Sequence, residues 1–388
     1  MRTLIKFTAP LVLVLLAELA FRAGIWERWA QPDSHAGTSI RVKRALAEPQ
    51  FAKIDFVTLG SSRPVYGLDH EAIAASATAA GFQHVNMSMP GSHWMAIGAV
   101  TEWLARSHPE LRGGIIAVDT TSFSAPGNGA YEIGIARPFV GVHGDDWMTQ
   151  HVPFSWSDTS TWSVHSSLFL YREDMQDLLK APRARYLGLE WHRQRPGSAV
   201  VLSNATEERN LCTYGRPDSA VCTKLGDAAD DATRLLVRQC QDIVGAKTYR
   251  PDYGQSLRQG TLQPEMIAVR DLVQKRLRGL RWKQKPLVVL MPVTPAWKEA
   301  APVGAHEWAL SVLQPLVAEG TIDLIDTTDT LDKADGSDCQ DYFDLYHQNA
   351  HGRERLMSTL MPQIRERLHS PTANDQVATA ATGPARGD

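Results

Sequence analysis

Two short polar segments, far apart in the chain, carry the residue types that nucleophilic acyl transfer requires. Ser62 follows an apolar run at residues 56–59, and Asp344 and His347 stand near the other end of the chain. A spacing of three lets one turn direct a carboxylate and an imidazole toward one point. A hydroxyl, an imidazole and a carboxylate form a nucleophile, its base and the group that orients the base. The pattern predicts that the fold brings Ser62, His347 and Asp344 together.

Alternating apolar segments and helix-like segments must position these residues. Apolar runs typical of buried strands are followed by segments with helical character, an alternation that favours an α/β fold with a mostly parallel sheet. Strands are predicted at 54–59, 84–87, 114–119, 286–292 and 322–325, and helices at 69–80, 94–105, 230–244, 264–280, 306–319 and 352–368.

Ser62 is predicted at the carboxyl edge of this sheet, where ligands bind in open α/β folds. Gly60 permits a tight turn, and backbone N–H groups at the start of the next helix can stabilise an oxyanion. The alternative is that Ser61 and Ser62 only cap that helix. Arg63 beside them could hold an anionic substrate group, or have a surface or capping role. The motif Gly-x-Ser-x-Gly is absent, which argues against an ordinary α/β-hydrolase.

The segment from about 124 to 281 breaks the alternation of strands and helices. It contains loop-forming residues and several tryptophans, and it is predicted to be an insertion or cap of mixed structure. Residues 370–388, rich in Pro, Ala, Thr and Gly, are predicted to be a disordered tail. The main domain is therefore expected at 51–369.

The N-terminus contains an apolar segment from residue 7 to 26, preceded by Arg2 and Lys6. About twenty residues can span a bilayer as a helix, and basic residues ahead of the segment favour a cytoplasmic start. Glu18 and Arg22 interrupt it at a spacing that allows them to pair. We therefore expect residues 1–26 to be a membrane anchor or signal segment and 27–50 a connector. A cleaved signal peptide and a buried helix of a cytosolic protein are the alternatives.

Composition excludes several classes of function. The net charge of -3 offers no electrostatic basis for nucleic-acid binding. No Cys-x-x-Cys or His-x-x-His framework predicts a metal, and no glycine-rich phosphate loop predicts a nucleotide cofactor. Cys212 and Cys222 bracket a turn-rich loop that a disulfide could close, which would leave Cys240 and Cys339 as the second pair. Four free thiols are the alternative.

The motifs around Ser62 and His347 resemble those of the SGNH/GDSL hydrolase superfamily. The resemblance covers roughly 54–123 and 285–368. Gly60-Ser61-Ser62 matches the block that ends in the nucleophilic serine, with Ser in place of Asp. The segment Asn86-Met87-Ser88-Met89-Pro90-Gly91 resembles the second block, with Ser88 at the oxyanion-hole glycine. Asp344 and His347 match the last block.

The third block departs from the family pattern. Val118-Asp119-Thr120-Thr121 stands where the family has Gly-x-Asn-Asp, so the usual asparagine donor is missing. The resemblance implies an oxyanion hole formed by Ser62, Ser88 and Thr120, through backbone or side chain. It also implies a three-layer sandwich around the sheet.

The serine variant and the predicted anchor resemble one branch of the superfamily, which assists teichoic-acid D-alanylation and the acetylation of alginate and cellulose. This resemblance implies a membrane-anchored, extracytoplasmic serine acyltransferase or esterase that acts on a cell-surface polysaccharide. It implies single-pass attachment to the inner membrane with the catalytic domain in the periplasm. A membrane-bound O-acyltransferase is the implied partner. The alternative is a non-catalytic accessory protein that binds polymer or that acyltransferase.

Overall fold

The computed structural model describes residues 2–124, 129–140, 155–157, 159–195, 197, 204–225, 231–248 and 250–369. The chain divides into two compact units. The helical unit consists of Met1–Ala52, Met89–Ser107 and Pro126–Val201, and the sheet unit consists of Lys53–Ser88, His108–Ala125 and Leu202–Asp388. The predicted disordered tail at 370–388 lies outside the described residues.

The sheet unit is built on a parallel β-sheet. Its described strands are β1 (Phe56–Gly60), β2 (His84–Asn86), β3 (Gly113–Val118), β4 (Leu287–Leu290) and β5 (Asp323–Asp326). Their order is β2-β1-β3-β4-β5, and every pairing between them is parallel. All five lie where the apolar runs predicted strands, within about two residues at each end, so the predicted α/β class is confirmed.

Helices make up most of the remaining described structure. Those before residue 200 are α1 (Arg2–Arg22), α2 (His35–Leu46), α3 (Ser62–Gly67), α4 (His70–Ala79), α5 (Trp94–Ser107), α6 (Gly129–Val140), α7 (Thr159–His165), α8 (Ser167–Leu170), α9 (Arg172–Lys180) and α10 (Pro182–Arg193). Those after it are α11 (Val221–Lys224), α12 (Asp231–Thr248), α13 (Tyr253–Gln259), α14 (Pro264–Gly279), α15 (Pro295–Ala300), α16 (Ala305–Ala318) and α17 (Ala350–His369). Short 3₁₀ helices span Ile25–Arg28, Pro49–Phe51, Thr120–Phe123 and Ser337–Asp341.

Both faces of the sheet are buried. Ile115, Ala117 and Val289 pack with apolar side chains of α4 and α17 in one core cluster. The residues between them along the strands, such as Ile116 and Val288, are also buried and point to the opposite face. Continuous burial along a strand is typical of a parallel sheet covered on both sides. This arrangement is consistent with the predicted three-layer sandwich.

The end of β1 requires a glycine. Gly60 pairs with Ala117 of β3, and a Cβ atom at position 60 would lie 2.2 Å from the Ala117 carbonyl oxygen. Only a residue without a side chain permits this approach of the two backbones. The chain therefore leaves the sheet at Gly60 and enters α3 at Ser62.

In the helical unit, α1 is joined to α8 by one carboxylate. Glu18 accepts a hydrogen bond from the Nε of Arg22 at 2.8 Å, the pairing that their spacing predicted. It also accepts from the backbone N–H groups of Ser167 and Leu168 at 2.8 and 3.1 Å. These N–H groups have no acceptor within α8, so Glu18 serves as their acceptor.

The apolar part of α1 is exposed in the structure. Each side chain from Leu11 to Leu16 is at least 50% exposed. Among the helices formed by described residues, however, none has both the length and the apolar character needed to cross a membrane. The membrane-spanning helix predicted at the N-terminus is therefore not supported. The predicted connector at 27–50 contains α2, a helix that the sequence pattern did not predict.

The segment predicted to be an insertion is divided between the units. Helices α6 to α10 belong to the helical unit, and α11 to α14 belong to the sheet unit. Over the parts of 124–281 that the structure describes, the regular elements are helices.

The cysteines form two disulfides, both in the sheet unit. Cys212 is bonded to Cys339, and Cys222 is bonded to Cys240. The predicted closure of the loop between Cys212 and Cys222 is therefore wrong. The reason is tertiary: Cys240 lies on α12, and the Leu211 N–H donates to the Cys339 carbonyl, which places residue 339 beside Cys212.

Candidate active site

Ser62 and His347 meet at the carboxyl end of the sheet. The Ser62 Oγ lies 2.8 Å from the His347 Nε2, although the residues are 285 positions apart. Ser62 is the first residue of α3, directly after β1, and both side chains are partly exposed. A hydrogen bond of this length is within the range for proton transfer from a hydroxyl to a base.

Asp344 lies on the opposite side of the imidazole. Its Oδ2 is 2.9 Å from the His347 Nδ1. Because an ionised carboxylate only accepts hydrogen bonds, Nδ1 carries the proton and Nε2 accepts from the Ser62 hydroxyl. Burial of Asp344 alone would raise its pKa, but hydrogen bonds from His347, Gln239 and the Tyr346 N–H outweigh burial and lower the pKa. The carboxylate therefore remains ionised and sets the tautomer of the base.

Asp344 also shapes the loop that carries the histidine. Its Oδ1 accepts from the backbone N–H groups of Tyr346 and His347, both at 2.7 Å. These bonds form a tight turn, which is why the spacing of three places the carboxylate and the imidazole together. The same side chain thus fixes the backbone and the ring.

Gln239 is a buried residue of this site that the sequence did not reveal. It lies on α12, is 2% exposed, and accepts from the Leu345 N–H at 3.0 Å through Oε1. It also hydrogen-bonds Asp344. No local motif marks Gln239, because its partners are more than a hundred positions away. Its contacts make it a positioning residue for the histidine loop.

The segment after β4 is hydrogen-bonded to the loop that carries His347. The Thr294 hydroxyl donates to the Leu345 carbonyl at 2.6 Å, and the Gln348 Nε2 donates to the Pro292 carbonyl at 2.8 Å. The loop is thereby attached to the carboxyl end of a central strand. The position of His347 relative to the sheet follows from these bonds.

Arg63 has neither of the roles considered from the sequence. It is 5% exposed, and its guanidinium is ion-paired with Asp119, which follows β3. A second nitrogen donates to the Tyr346 carbonyl, and the guanidinium also lies 5.3 Å from the ring centre of Trp297. Arg63 therefore connects the ends of β1 and β3 to the histidine loop, and it is not available to a substrate anion.

Aromatic rings enclose His347 on several sides. The ring centres of Tyr66, Phe343 and Tyr346 lie 4.9, 5.7 and 6.0 Å from that of the imidazole. Such rings restrict the rotation of the imidazole and exclude water from part of its surface.

The strand order explains why these loops share one edge. In the order β2-β1-β3-β4-β5, the chain passes from β1 to β2 on one side, and β3 to β5 are then added on the other side of β1. Open α/β sheets form ligand crevices at such a switch point, which here lies between β1 and β3. Strand β3 ends at Val118 and is followed by Asp119. Thr120 begins the 3₁₀ helix immediately after it.

The groups expected to donate to the oxyanion differ in whether they already have an acceptor. The Ser62 N–H belongs to the first turn of α3 and has no acceptor within that helix. The Ser88 N–H is already engaged, because it donates to the Asn86 side chain at 2.9 Å. The Ser88 hydroxyl is buried and has no hydrogen-bond partner among the described residues. If Ser88 contributes a donor, the hydroxyl is the free group.

Within the described residues, no group of three or more His, Cys, Asp or Glu side chains is arranged to hold a metal ion.

The sequence matches no protein-family model, and none of the curated proteins is significantly similar to it. The function is therefore argued from the geometry of the site and from the resemblance of its short motifs.

Proposed function

We propose that this protein is an SGNH-like serine acyltransferase or esterase. The observation that carries the proposal is the continuous hydrogen-bonded chain from the Ser62 hydroxyl through His347 to the buried Asp344. Acyl transfer through a serine needs this order of nucleophile, base and carboxylate. The site lies at the edge of the sheet where the fold leaves its loops open to a ligand.

In the first half of the reaction, the Ser62 oxygen attacks the acyl carbon while His347 Nε2 takes the hydroxyl proton. Asp344 stabilises the resulting imidazolium. The Ser62 N–H, with the Ser88 hydroxyl and Thr120, is suited to stabilise the negative oxygen of the tetrahedral intermediate. The C–O bond to the leaving alcohol then breaks, and that alcohol takes the proton from His347.

In the second half, an acceptor hydroxyl attacks the acyl-serine. His347 removes the proton from the acceptor and returns it to Ser62 as the new ester or free acid leaves. Transfer to a sugar hydroxyl and transfer to water differ only in the acceptor. The branch of the superfamily that the motifs resemble suggests a cell-surface polysaccharide, with acetyl as the acyl group and a membrane-bound O-acyltransferase as partner.

We further propose that the protein acts outside the cytoplasm, in the periplasm and attached to the inner membrane. Both disulfides support an oxidising compartment, because such bonds rarely persist among cytosolic proteins. Attachment through the N-terminal segment remains a prediction of the sequence. Fractionation of cells and alkylation of thiols before and after reduction would test the compartment. Free thiols in the isolated protein would contradict it.

Ser62→Ala tests the mechanism. We expect it to abolish hydrolysis of p-nitrophenyl acetate and covalent labelling by a fluorophosphonate, because no other group replaces the attacking oxygen. Ser61→Ala is the matched control, since Ser61 only accepts from the Arg63 N–H at 3.3 Å as a helix cap. Labelling that persists in Ser62→Ala would exclude the proposed nucleophile.

A non-catalytic accessory protein is the second candidate. Two observations favour it: the Ser88 N–H is already engaged, and Thr120 stands where the family has its asparagine donor. Such a protein would bind polymer or the acyltransferase without forming an acyl-serine. Absence of fluorophosphonate labelling in the folded wild type, together with co-purification of the acyltransferase, would favour this candidate.

A further inference from the structure

A cavity in the helical unit is lined by an unusual number of arginines. It has a volume of about 210 Å³ and lies between α2, α10 and the segment that follows α1. At ~30 Å³ for each water, this is room for about seven water molecules, and it also suits a small anion. Its basic lining residues are Arg41, Arg44, His192, Arg193 and Arg195.

Among the described residues, neither carboxylate that lines the cavity lies within ion-pair distance of these guanidinium groups. Glu27 and Glu48 are the acidic lining residues. Glu27 accepts from Lys43 at 3.2 Å, and Glu48 accepts from Gln50 at 3.0 Å. Both carboxylates are therefore occupied by groups outside the arginine cluster.

Among the described residues, three of the four arginines have no carboxylate within ion-pair distance. The Arg41 Nη1 donates to the His192 Nδ1 at 3.0 Å, and the Arg44 Nη2 donates to the Glu27 backbone carbonyl at 2.8 Å. Arg195 lies over the Trp191 ring at 3.8 Å. The fourth, Arg193, is 3.7 Å from Glu190 on the same exposed helix face.

The arginines also affect one another. Partial burial is the main cause that lowers the pKa of Arg41; the charge of Asp33 opposes it, and the charge of Arg195 lowers the pKa further. Burial is also the main cause that lowers the pKa of Arg44; the charge of Glu27 opposes it, and Arg193 lowers the pKa further. The Arg41 Nε is buried and has no hydrogen-bond partner among the described residues. Like charges gathered around a cavity repel one another unless an anion lies between them.

His192 holds one of these groups in position. A guanidinium only donates, so the His192 Nδ1 accepts from Arg41, and the Nε2 carries the proton that it donates to Asp33 at 3.1 Å. Neutral His192 therefore orients Arg41 without neutralising its charge. The Arg41 Nη2 also donates to the Thr38 hydroxyl at 3.4 Å, and each Nη carries a second N–H that an oxyanion can accept.

We propose that this cavity binds a phosphate group. Guanidinium groups recognise phosphate through paired hydrogen bonds, and several of them match its multiple charges. The phosphate can belong to a soluble compound or to the headgroup of an anionic phospholipid. The exposed apolar side chains of α1, Leu11 to Leu16 and Leu19, belong to the same unit and precede the cavity residue Glu27 by 8 to 16 positions, which favours the headgroup.

The test uses the full-length chain and two probes: inorganic phosphate in solution, and vesicles of phosphatidylcholine with or without phosphatidylglycerol. The test variant is the double substitution Arg41→Gln with Arg195→Gln. Arg183→Gln is the matched control, because Arg183 is an exposed residue of α10 outside the cavity. Circular dichroism checks that each variant remains folded.

We expect the double variant to weaken binding of at least one probe by about tenfold or more, as loss of charge-assisted bonds predicts. Arg183→Gln should bind like the wild type. An effect on phosphatidylglycerol vesicles alone identifies the headgroup as the source, and an effect on inorganic phosphate identifies a soluble one. Wild-type protein that binds neither probe, or equal binding by wild type and double variant, would overturn the proposal.

Discussion

The Arg63 guanidinium and the Asp119 carboxylate form a buried ion pair in which the two side chains are only 6% and 5% exposed. The pair joins the chain after β1 to the chain after β3. Through the Tyr346 carbonyl it also supports the loop of His347. Asp119 also caps the 3₁₀ helix that begins at Thr120, where it accepts from the Thr121 N–H at 2.8 Å, so the pair has a structural role.

Breaking this pair should destabilise the protein strongly. Asp119→Asn leaves a buried guanidinium without its counter-charge, and such losses cost about 3–5 kcal/mol in the free energy of unfolding. The double variant Arg63→Met with Asp119→Leu should lose less than the sum of the two single changes, because neither charge is then left alone. Urea unfolding of the wild type, Arg63→Met, Asp119→Leu and the double variant measures the difference.

A surface pair provides the control for this experiment. Lys298 and Asp329 are 2.6 Å apart, but the Asp329 side chain is 70% exposed. Asp329→Asn should change the free energy of unfolding by at most about 1 kcal/mol. Equal effects of Asp119→Asn and Asp329→Asn would contradict the structural role assigned to Arg63.

Asp344→Asn should inactivate the site while the loop remains folded. An asparagine retains the acceptor oxygen for the Tyr346 and His347 N–H groups, but its amide no longer selects the tautomer in which Nε2 is the base. We expect kcat for acetyl-ester hydrolysis to fall by about 10⁴-fold, as in other serine triads. Asp242→Asn, which removes only the bond from the Tyr346 hydroxyl, is the control. Retention of more than a tenth of the activity in Asp344→Asn would be inconsistent with the triad.

Gln239→Leu should show whether α12 positions the base. The substitution leaves the Leu345 N–H without its acceptor, at a cost of about 1–3 kcal/mol in stability. Because Gln239 contacts Asp344 and not the substrate, we expect kcat to fall and KM to stay within about twofold. Gln241→Leu, an exposed position of the same helix, should leave both constants unchanged. A change confined to KM would refute a positioning role.

The two disulfides should contribute unequally to stability. Cys212–Cys339 closes a separation of 127 residues and Cys222–Cys240 closes one of 18. The entropy of the unfolded chain then predicts losses of about 5 and about 3 kcal/mol when each pair is replaced by serine. Peptide mapping without reduction would establish the connectivity. Finding Cys212 bonded to Cys222 would contradict the structure.

Acid should destabilise the protein through its buried histidines. Burial is the main cause that lowers the pKa of His70 to about 4, and it also lowers the pKa of His84 well below the ordinary value. In the unfolded chain a histidine binds a proton near pH 6.5. The unfolded state therefore binds more protons as pH falls from about 6.5 to 4, so stability is lost across that range.

For His70 alone the loss reaches about 3 kcal/mol near pH 4. Urea unfolding at pH 7 and pH 4.5 measures it, with His70→Gln as the comparison, since glutamine can donate to the Pro64 carbonyl that His70 now contacts. The variant should lose clearly less stability over this range than the wild type. Identical losses would show that His70 is not responsible.

Much of the sheet unit follows from local patterns. Apolar runs predicted each described strand of the sheet, and the predicted helix at 69–80 corresponds to α4, which Asp69 caps by accepting from the Ala72 N–H at 2.9 Å. These features depend on neighbours in the sequence, so the sequence displays them. Helix α2 was not predicted, because its buried apolar residues Ile40, Val42, Ala45 and Leu46 stand in a segment rich in polar residues.

What the sequence determined by itself is the chemistry: a serine after a buried strand, an aspartate three residues before a histidine, and a glycine where two backbones nearly touch. Only the tertiary structure decided how these are held. Arg63 is paired with Asp119, Gln239 reaches the histidine loop from α12, and the cysteines pair as 212 with 339 and 222 with 240. Each of these contacts joins residues that are distant in the chain. Their formation depends on the packing of whole helices and strands, which no local spacing encodes.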